Sequence, residues 1–193
     1  ADEFAQIKVG SDVAFLNGLM NVLITEDLYD KDFVQDHCDN FDALKEKVLE
    51  YPPKRASEIS GVSEEQIISI AHMLADNKPG MAIYTLGITE HTCGTNNVMS
   101  VANLQMLLGN VGKPNTGVNP LRGQNNVQGA CDMGALPNTY HGYQSVTDPA
   151  AKAKFEQAWN VEGLPDKLGL MIPDMFEKLE TKEMKAIYIF GEN

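Results

Sequence analysis

The sequence predicts an α/β fold in which parallel sheets are flanked by helices. An apolar run at residues 81–86 carries no charge and ends at Gly87, which is typical of a strand buried on both faces of a parallel sheet. A loop over residues 87–94 and a periodic apolar segment that ends at Gly109 follow, so strand, loop and helix form half of a βαβ unit. A second buried strand is predicted at residues 185–190.

Helix start and stop signals predict short helices elsewhere. Ser63 followed by Gln66 is a capping box, and Asp148 followed by Pro149 places a cap residue before a proline at the first helical position. Between residues 110 and 143 we find no regular period apart from one helical turn near Asp132. A loop of that length is uncommon in a compact domain and is typical of functional segments. The remaining expected helices start at Ser11 or Asp12, at Asp30, at Phe41 and near Pro173.

Charge and cysteine content exclude several classes of protein. The net charge of −12 would repel a phosphate backbone or an anionic membrane surface, so we expect no nucleic-acid partner. No apolar run reaches the roughly 20 residues of a membrane span, which predicts no direct membrane insertion. The start of the chain is acidic and lacks the features of a signal peptide. Cys38, Cys93 and Cys131 are odd in number and far apart, which favours reduced thiols and a cytoplasmic location.

The middle of the chain contains very few charges. Residues 79–147 carry only four charged side chains, Glu90, Lys113, Arg122 and Asp132, and they are rich in glycine and asparagine. Asparagine offers a donor and an acceptor without the desolvation penalty of a charge, and glycine allows close backbone approach. The segment therefore either lines a polar ligand or forms tight turns in a buried region, and composition alone favours neither interpretation.

Local motifs for nucleophilic or metal chemistry are weak. Neighbouring helical side chains point in different directions, so His37 and Cys38 are better explained as a helix end at the surface than as a thiolate site. His91 and Cys93 follow a strand end, but two ligands form a poor metal signal. We therefore predict no metal ligand within this chain.

Arg122 is the best candidate for a functional side chain. It is the only arginine after Arg55, and uncharged amide side chains surround it in the sequence. A guanidinium in such surroundings can bind a carboxylate or phosphate through paired hydrogen bonds. The alternative is a structural ion pair with Asp132 or Glu90.

The sequence of residues 117–134, GVNPLRGQNNVQGACDMG, resembles the catalytic subunit of molybdenum- or tungsten-dependent formate dehydrogenases of the dimethyl sulfoxide reductase superfamily. The resemblance extends along the chain, from residues 10–12 and 26–30 through 87–89 and 109–112 to 191–193. It implies oxidation of formate to CO2, or the reverse, at molybdenum or tungsten held by two molybdopterin guanine dinucleotides. It also implies that electrons leave through a 4Fe-4S cluster bound by parts of the protein absent here.

The resemblance also implies roles for individual residues. Arg122 aligns with the active-site arginine of the family, which would hold the formate carboxylate near the metal. The residues implied in cofactor binding are Leu86, Gly87, Thr89, Glu90, Gly123, Gln124, Gly191, Glu192 and Asn193. The family usually has glutamine where Glu90 stands, and a carboxylate accepts hydrogen bonds without donating them.

The family pattern further implies that this chain is an internal part of a longer polypeptide. The metal ligand, a cysteine or selenocysteine followed by histidine, and the four-cysteine cluster motif would precede it. We expect residues 1–121 to belong to a first αβα cofactor-binding domain and residues 122–193 to begin a second one packed against it, with Arg122 in the cleft at the crossover. The expected partners are formate or CO2, the remaining domains and an iron-sulfur electron-transfer subunit, and we expect the isolated fragment to be inactive.

Two alternatives remain open at this point. One is a sister enzyme of the same superfamily, such as a nitrate reductase or a formylmethanofuran dehydrogenase. The other is a metal-free structural and electron-transfer relative, similar to the large iron-sulfur subunit of respiratory complex I. The amide-rich loop around Arg122 argues against the second alternative.

Overall fold

The computed structural model describes residues 1–189 and 191, and it contains ten α-helices and two strands in that part of the chain. The chain forms two compact units, Ala1–Gly123 and Gln124–Asn193. Assigning them to two cofactor-binding domains with a boundary after residue 121 stays a prediction. The elements of the first unit are α1 Asp12–Thr25, α2 Lys31–His37, α3 Phe41–Leu49, α4 Pro53–Ser60, α5 Glu64–Asp76, β1 Met81–Tyr84, α6 Leu86–Thr89, α7 Gly94–Leu107 and β2 Gly117–Pro120.

Helix α1 is the centre of the first unit. It packs against α3, α4, α5 and α7, and it is buried along most of its length, including Met20 and Leu23, which are fully inaccessible. Helices α1 and α4 approach closely because Gly18 has no side chain: a Cβ added there would lie 2.5 Å from Ala56 Cβ. Glycine inside a helix is less stable than alanine, and the close approach of α1 and α4 explains why glycine nevertheless occupies position 18.

Most predicted helix starts are confirmed. Asp30 Oδ1 accepts a hydrogen bond of 2.9 Å from Phe33 N at the start of α2. Ser63 Oγ accepts one of 3.2 Å from Gln66 N, which is the first half of the predicted capping box. The second half is absent from the described contacts of Gln66, because its side-chain Nε2 donates instead to Glu3 and to the Phe4 carbonyl.

Helix α4 is not among the expected helices. Pro53 is its first residue, a position where the missing N–H of proline is harmless. At the end of α3, Val48 is buried and Leu49 is 46% exposed.

The two strands form a parallel sheet in which Met81 pairs with Gly117 and Tyr84 with Pro120. The α/β class and the parallel pairing are therefore confirmed. Strand β2 was not predicted, because its glycine, asparagine and proline disfavour strands. The predicted burial of β1 on both faces is wrong for the described residues: α7 packs against the sheet, but Met81 and Ile83 are 50% and 59% exposed.

The second unit contains three further helices, α8 Val127–Asp132, α9 Pro149–Trp159 and α10 Ile172–Glu180. Helix α8 is the predicted turn near Asp132, and Asp148 Oδ1 caps α9 by accepting 2.9 Å from Ala150 N as predicted. The core of this unit is small and includes Tyr140 and Phe155, whose ring centroids are 5.1 Å apart.

The predicted buried strand at residues 185–190 is wrong over its described part. Residues 185–189 have no regular secondary structure, and Tyr188 is 88% exposed. A strand requires a pairing partner, and in the described part of the chain none pairs with this segment. Phe190 lies outside the described residues. None of the described helices has the length and apolar character needed to cross a bilayer.

We predict that Gly18→Ala destabilises the chain, although alanine is normally the better helix former. The added methyl group would overlap Ala56, and overpacking of this kind typically costs about 1–3 kcal/mol. Urea unfolding midpoints of Gly18→Ala, Ala56→Gly and the double variant provide the test. The penalty of Gly18→Ala should shrink in the Ala56→Gly background, and equal penalties in both backgrounds would contradict the overlap.

Candidate functional site

The carboxyl ends of the two parallel strands define the candidate site. The last paired residues are Tyr84 and Pro120, and Leu121 N donates a hydrogen bond of 2.7 Å to the Tyr84 carbonyl, which continues the pairing by one step. Because the strands are parallel, the segments that follow them leave the sheet at the same edge. Ligands of open α/β sheets bind at such edges.

The segment after β1 is the single helical turn α6. Glu90 N donates 2.9 Å to the Leu86 carbonyl and closes the turn. His91 Nε2 lies 3.0 Å from the Gly87 carbonyl, which fixes the turn from its carboxyl side. Leu86, Gly87 and Glu90 are exposed and Thr89 is half-buried, so the turn presents the backbone of Gly87 and the side chains of Leu86 and Glu90 at the sheet edge.

The segment after β2 approaches this turn directly. A Cβ added to Gly123 would lie 3.3 Å from Leu86 Cδ1, so the glycine permits van der Waals contact between the two segments. Within the first unit, the structure therefore brings together residues that the sequence singled out separately, Leu86 of the turn and Gly123 after β2. Gln124 opens the second unit and is exposed.

Arg122 is exposed in the described chain, because Leu121 makes the last hydrogen bond to β1 and the backbone leaves the sheet at Arg122. Its expected place in a cleft at the crossover stays a prediction. Three surface cavities, of about 340, 620 and 380 Å³, lie elsewhere in the first unit, beside α2, α3, α7 and the segment after α7.

The carboxyl-terminal candidates are only partly described. Gly191 has a left-handed backbone with φ of 73°, a conformation that glycine adopts without strain. Glu192 and Asn193 lie outside the described residues.

Asp132, one of the two acids considered as an ion-pair partner for Arg122, belongs to a polar cluster of the second unit. It accepts a hydrogen bond of 2.9 Å from Gln128 Nε2, which also donates 2.9 Å to the Tyr143 hydroxyl. A hydrogen bond to Asp132 raises the pKa of Tyr143, because the carboxylate stabilises the protonated phenol. Tyr143 has a φ of 59°, which is uncommon for an aromatic residue.

The weak nucleophile and metal motifs gain no support. Burial raises the pKa of Cys38, and the nearby charge of Asp39 raises it further, which disfavours a reactive thiolate. Cys93 Sγ lies 3.5 Å from Asn97 Oδ1, so this thiol and His91 contact different protein groups. Over residues 1–189 and 191, no three histidine, cysteine or acidic side chains gather in a way that could hold a metal ion.

Sequence reasoning missed two residues that hold the α6 turn, Gly94 and Asn97. Both lie in the first turn of α7, and Asn97 donates to the Ile88 carbonyl. The adjacent pair Asn96-Asn97 was visible in the sequence, and the helical period could have identified the buried member, because Asn97 precedes Val101 and Leu104 by four and seven residues.

Comparison with known proteins identifies the family of the chain. Residues 1–193 match the molybdopterin oxidoreductase family. The chain belongs to this family. This molybdopterin oxidoreductase chain is 48% identical over its full length to the F420-dependent formate dehydrogenase 1 subunit alpha of Methanococcus maripaludis, covering 28% of that protein. It is 46% identical over its full length to formate dehydrogenase H of Escherichia coli, covering 27% of it. The chain thus spans less than a third of these relatives.

A solved structure supports the fold of the molybdopterin oxidoreductase chain. Acetylene hydratase from Pelobacter acetylenicus aligns with a TM-score of 0.53 and 32% identity, over 56% of this chain and 15% of the hydratase. Its name states an activity different from that of the formate dehydrogenases. Membership of the family therefore does not by itself identify the substrate.

The residues at the sheet edge fit the cofactor that the family name implies. A Cβ added to Gly87 would meet no atom within 4 Å, so the exposed backbone of the turn is open to a bulky planar group. The Thr89 hydroxyl donates to the Leu86 carbonyl at 3.4 Å and keeps its capacity to accept a hydrogen bond, and Arg122 provides a cation that complements an anionic ligand.

We predict that Asp132→Asn lowers the pKa of Tyr143 toward that of free tyrosine. Ultraviolet difference titration of the phenol, with Tyr143→Phe subtracted to isolate this one ring, measures the change. Because the folded state favours the neutral phenol, this interaction stabilises the fold below the usual tyrosine pKa and is lost as the pH rises through the elevated value. Asp166→Asn, which removes a carboxylate paired with Lys152, serves as the control, and an unchanged titration in Asp132→Asn would contradict the assignment.

Proposed function

We propose that this chain is part of the catalytic subunit of a molybdenum- or tungsten-dependent formate dehydrogenase, which oxidises formate to CO2 or catalyses the reverse reaction. The observation that carries the proposal is the approach of Gly123, the residue after Arg122, to Leu86 of the α6 turn, where β1 and β2 end at a common edge. Identities of 46% and 48% to formate dehydrogenases along the whole chain favour formate over the other substrates of the family.

Arg122 would bind the substrate. Its planar guanidinium can donate two parallel hydrogen bonds to the two oxygens of formate and thereby orient the C–H bond. Residues 114–131 carry no other charge, so Arg122 would be the one cation that this segment offers to a substrate. Its charge would favour the binding of an anion, and neutral CO2 would leave it readily.

The cofactor would bind across both segments of the sheet edge. Two molybdopterin guanine dinucleotides with molybdenum or tungsten, when bound, would accept the two electrons that formate loses as it becomes CO2 and a proton. Leu86, Gly87, Thr89 and Glu90 of the turn and Gly123 and Gln124 of the second segment would hold the pterin, and Gly191, Glu192 and Asn193 would reach a dinucleotide. Glu90 would accept hydrogen bonds there.

The rest of the enzyme would provide the remaining chemistry. A 4Fe-4S cluster bound by other parts of the polypeptide would pass the electrons to an iron-sulfur subunit, and the metal ligand would also come from outside these residues. We propose a cytoplasmic location, because Cys38, Cys93 and Cys131 are free thiols.

Arg122→Ala in the complete enzyme should lower kcat/KM for formate by about 10²–10³-fold, because a charged donor to the reacting carboxylate is removed. Metal and pterin contents should stay near those of the unsubstituted enzyme. Arg122→Lys retains the charge but not the paired donors and should be intermediate. Arg55→Ala is the matched control. Arg55 lies far from Arg122 in the sequence, and its side chain donates to the Glu50 carbonyl.

The same variants distinguish the alternatives. Formate turnover by Arg122→Ala at the level of Arg55→Ala would remove Arg122 from the site. Turnover of nitrate but not formate by the unsubstituted enzyme would assign a sister activity, and absence of metal would indicate a structural relative.

Glu90→Gln should lower the KM for formate by roughly two- to fivefold, because a carboxylate at the sheet edge repels the substrate anion with a surface energy below about 1 kcal/mol. The difference from the unsubstituted enzyme should fade at high ionic strength, since exposed charges are screened. An equal KM for the two proteins at low salt would show that the Glu90 carboxylate does not act on the formate anion.

A further inference from the structure

A buried amide joins the start of α7 to the α6 turn. Asn97 is only 1% exposed. Its Nδ2 donates a hydrogen bond of 2.8 Å to the carbonyl of Ile88, in the middle of the turn. Its Oδ1 lies 3.5 Å from Cys93 Sγ, which donates to it. Both ends of the amide therefore contact the protein, and its orientation is determined.

The backbones of the two elements also touch. A Cβ added to Gly94 would lie 2.1 Å from the carbonyl oxygen of Thr89. No residue other than glycine can occupy this position without displacing the turn. Asn97 and Gly94 thus hold the two adjacent carbonyls of Ile88 and Thr89 against the same end of α7.

The turn depends on this support because it is very short. Helix α6 contains four residues, and an isolated turn of that length is not stable in water. Its outer side, with Leu86, Gly87 and Glu90, is exposed. The inner side is therefore where its conformation is fixed, and α7 itself is fixed by packing against α1.

We propose that Asn97 is a positioning residue for the cofactor: its bond to the Ile88 carbonyl holds the turn in the conformation that binds the pterin. This inference rests on the proposed function, since the turn can position a pterin only if the enzyme binds one. Asn97 itself is buried behind the turn and acts through the backbone of residues 86–90. Gly94 allows the approach that the hydrogen bond requires.

The test compares Asn97→Asp with Asn96→Asp in the complete enzyme. Both variants add one negative charge to the first turn of α7, but Asn96 is exposed, whereas aspartate at position 97 would direct a carboxylate oxygen at the Ile88 carbonyl. Two quantities are measured, amide hydrogen exchange of residues 86–90 and the rate at which pterin is lost on dialysis. In Asn97→Asp both should rise about tenfold, the equivalent of one lost hydrogen bond, while Asn96→Asp stays at the unsubstituted values.

A second variant covers the case in which Asn97→Asp does not fold. Gly94→Ala would place a methyl group against the Thr89 carbonyl and displace the same turn, so it should raise the same two rates. Gly80→Ala is its control, because a Cβ there would make only an ordinary contact of 3.5 Å.

The outcomes separate this inference from the proposed function. Exchange or pterin loss in Asn97→Asp and Gly94→Ala that equals the control values would overturn the positioning role, although the enzyme binds pterin. A complete enzyme that contains no pterin would overturn the proposed function, and the positioning role with it.

Discussion

The candidate site depends on one interaction, the parallel pairing of β1 with β2. Each strand has only four residues, yet the ladder and the bond from Leu121 to the Tyr84 carbonyl determine which residues leave the sheet together. A parallel register places both carboxyl ends at one edge. The contact between Gly123 and Leu86 is a direct consequence of this register.

The pairing is supported from behind by helices. Helix α7 packs against both strands and against α1, and α1 is the most buried element of the first unit. Through Asn97 and Gly94, the same helix contacts the α6 turn. A continuous set of contacts therefore connects the hydrophobic core to the turn: the buried Asn97 side chain donates to the Ile88 carbonyl, and Gly94 leaves room for the Thr89 carbonyl.

Local signals predicted the helices well and the strands less well. Asp30, Ser63 and Asp148 cap helices as expected, since a cap depends on residues within one turn of each other. Strand β2 was missed because its stability comes from its partner more than from its own residues. The strand prediction for residues 185–189 failed for the converse reason. Their composition suits a strand, but no segment of the described chain pairs with them.

The sequence by itself determined the α/β class, most helix starts and the family resemblance, and it singled out residues 86–90 and 122–124 as candidates, because composition, caps and motifs are local properties. Only the tertiary structure decided that Gly123 meets Leu86, that Arg122 is exposed, and that Asn97 bonds the Ile88 carbonyl. These facts depend on strand register and on helix packing. Both are set by contacts between residues far apart in the chain, which no local pattern encodes.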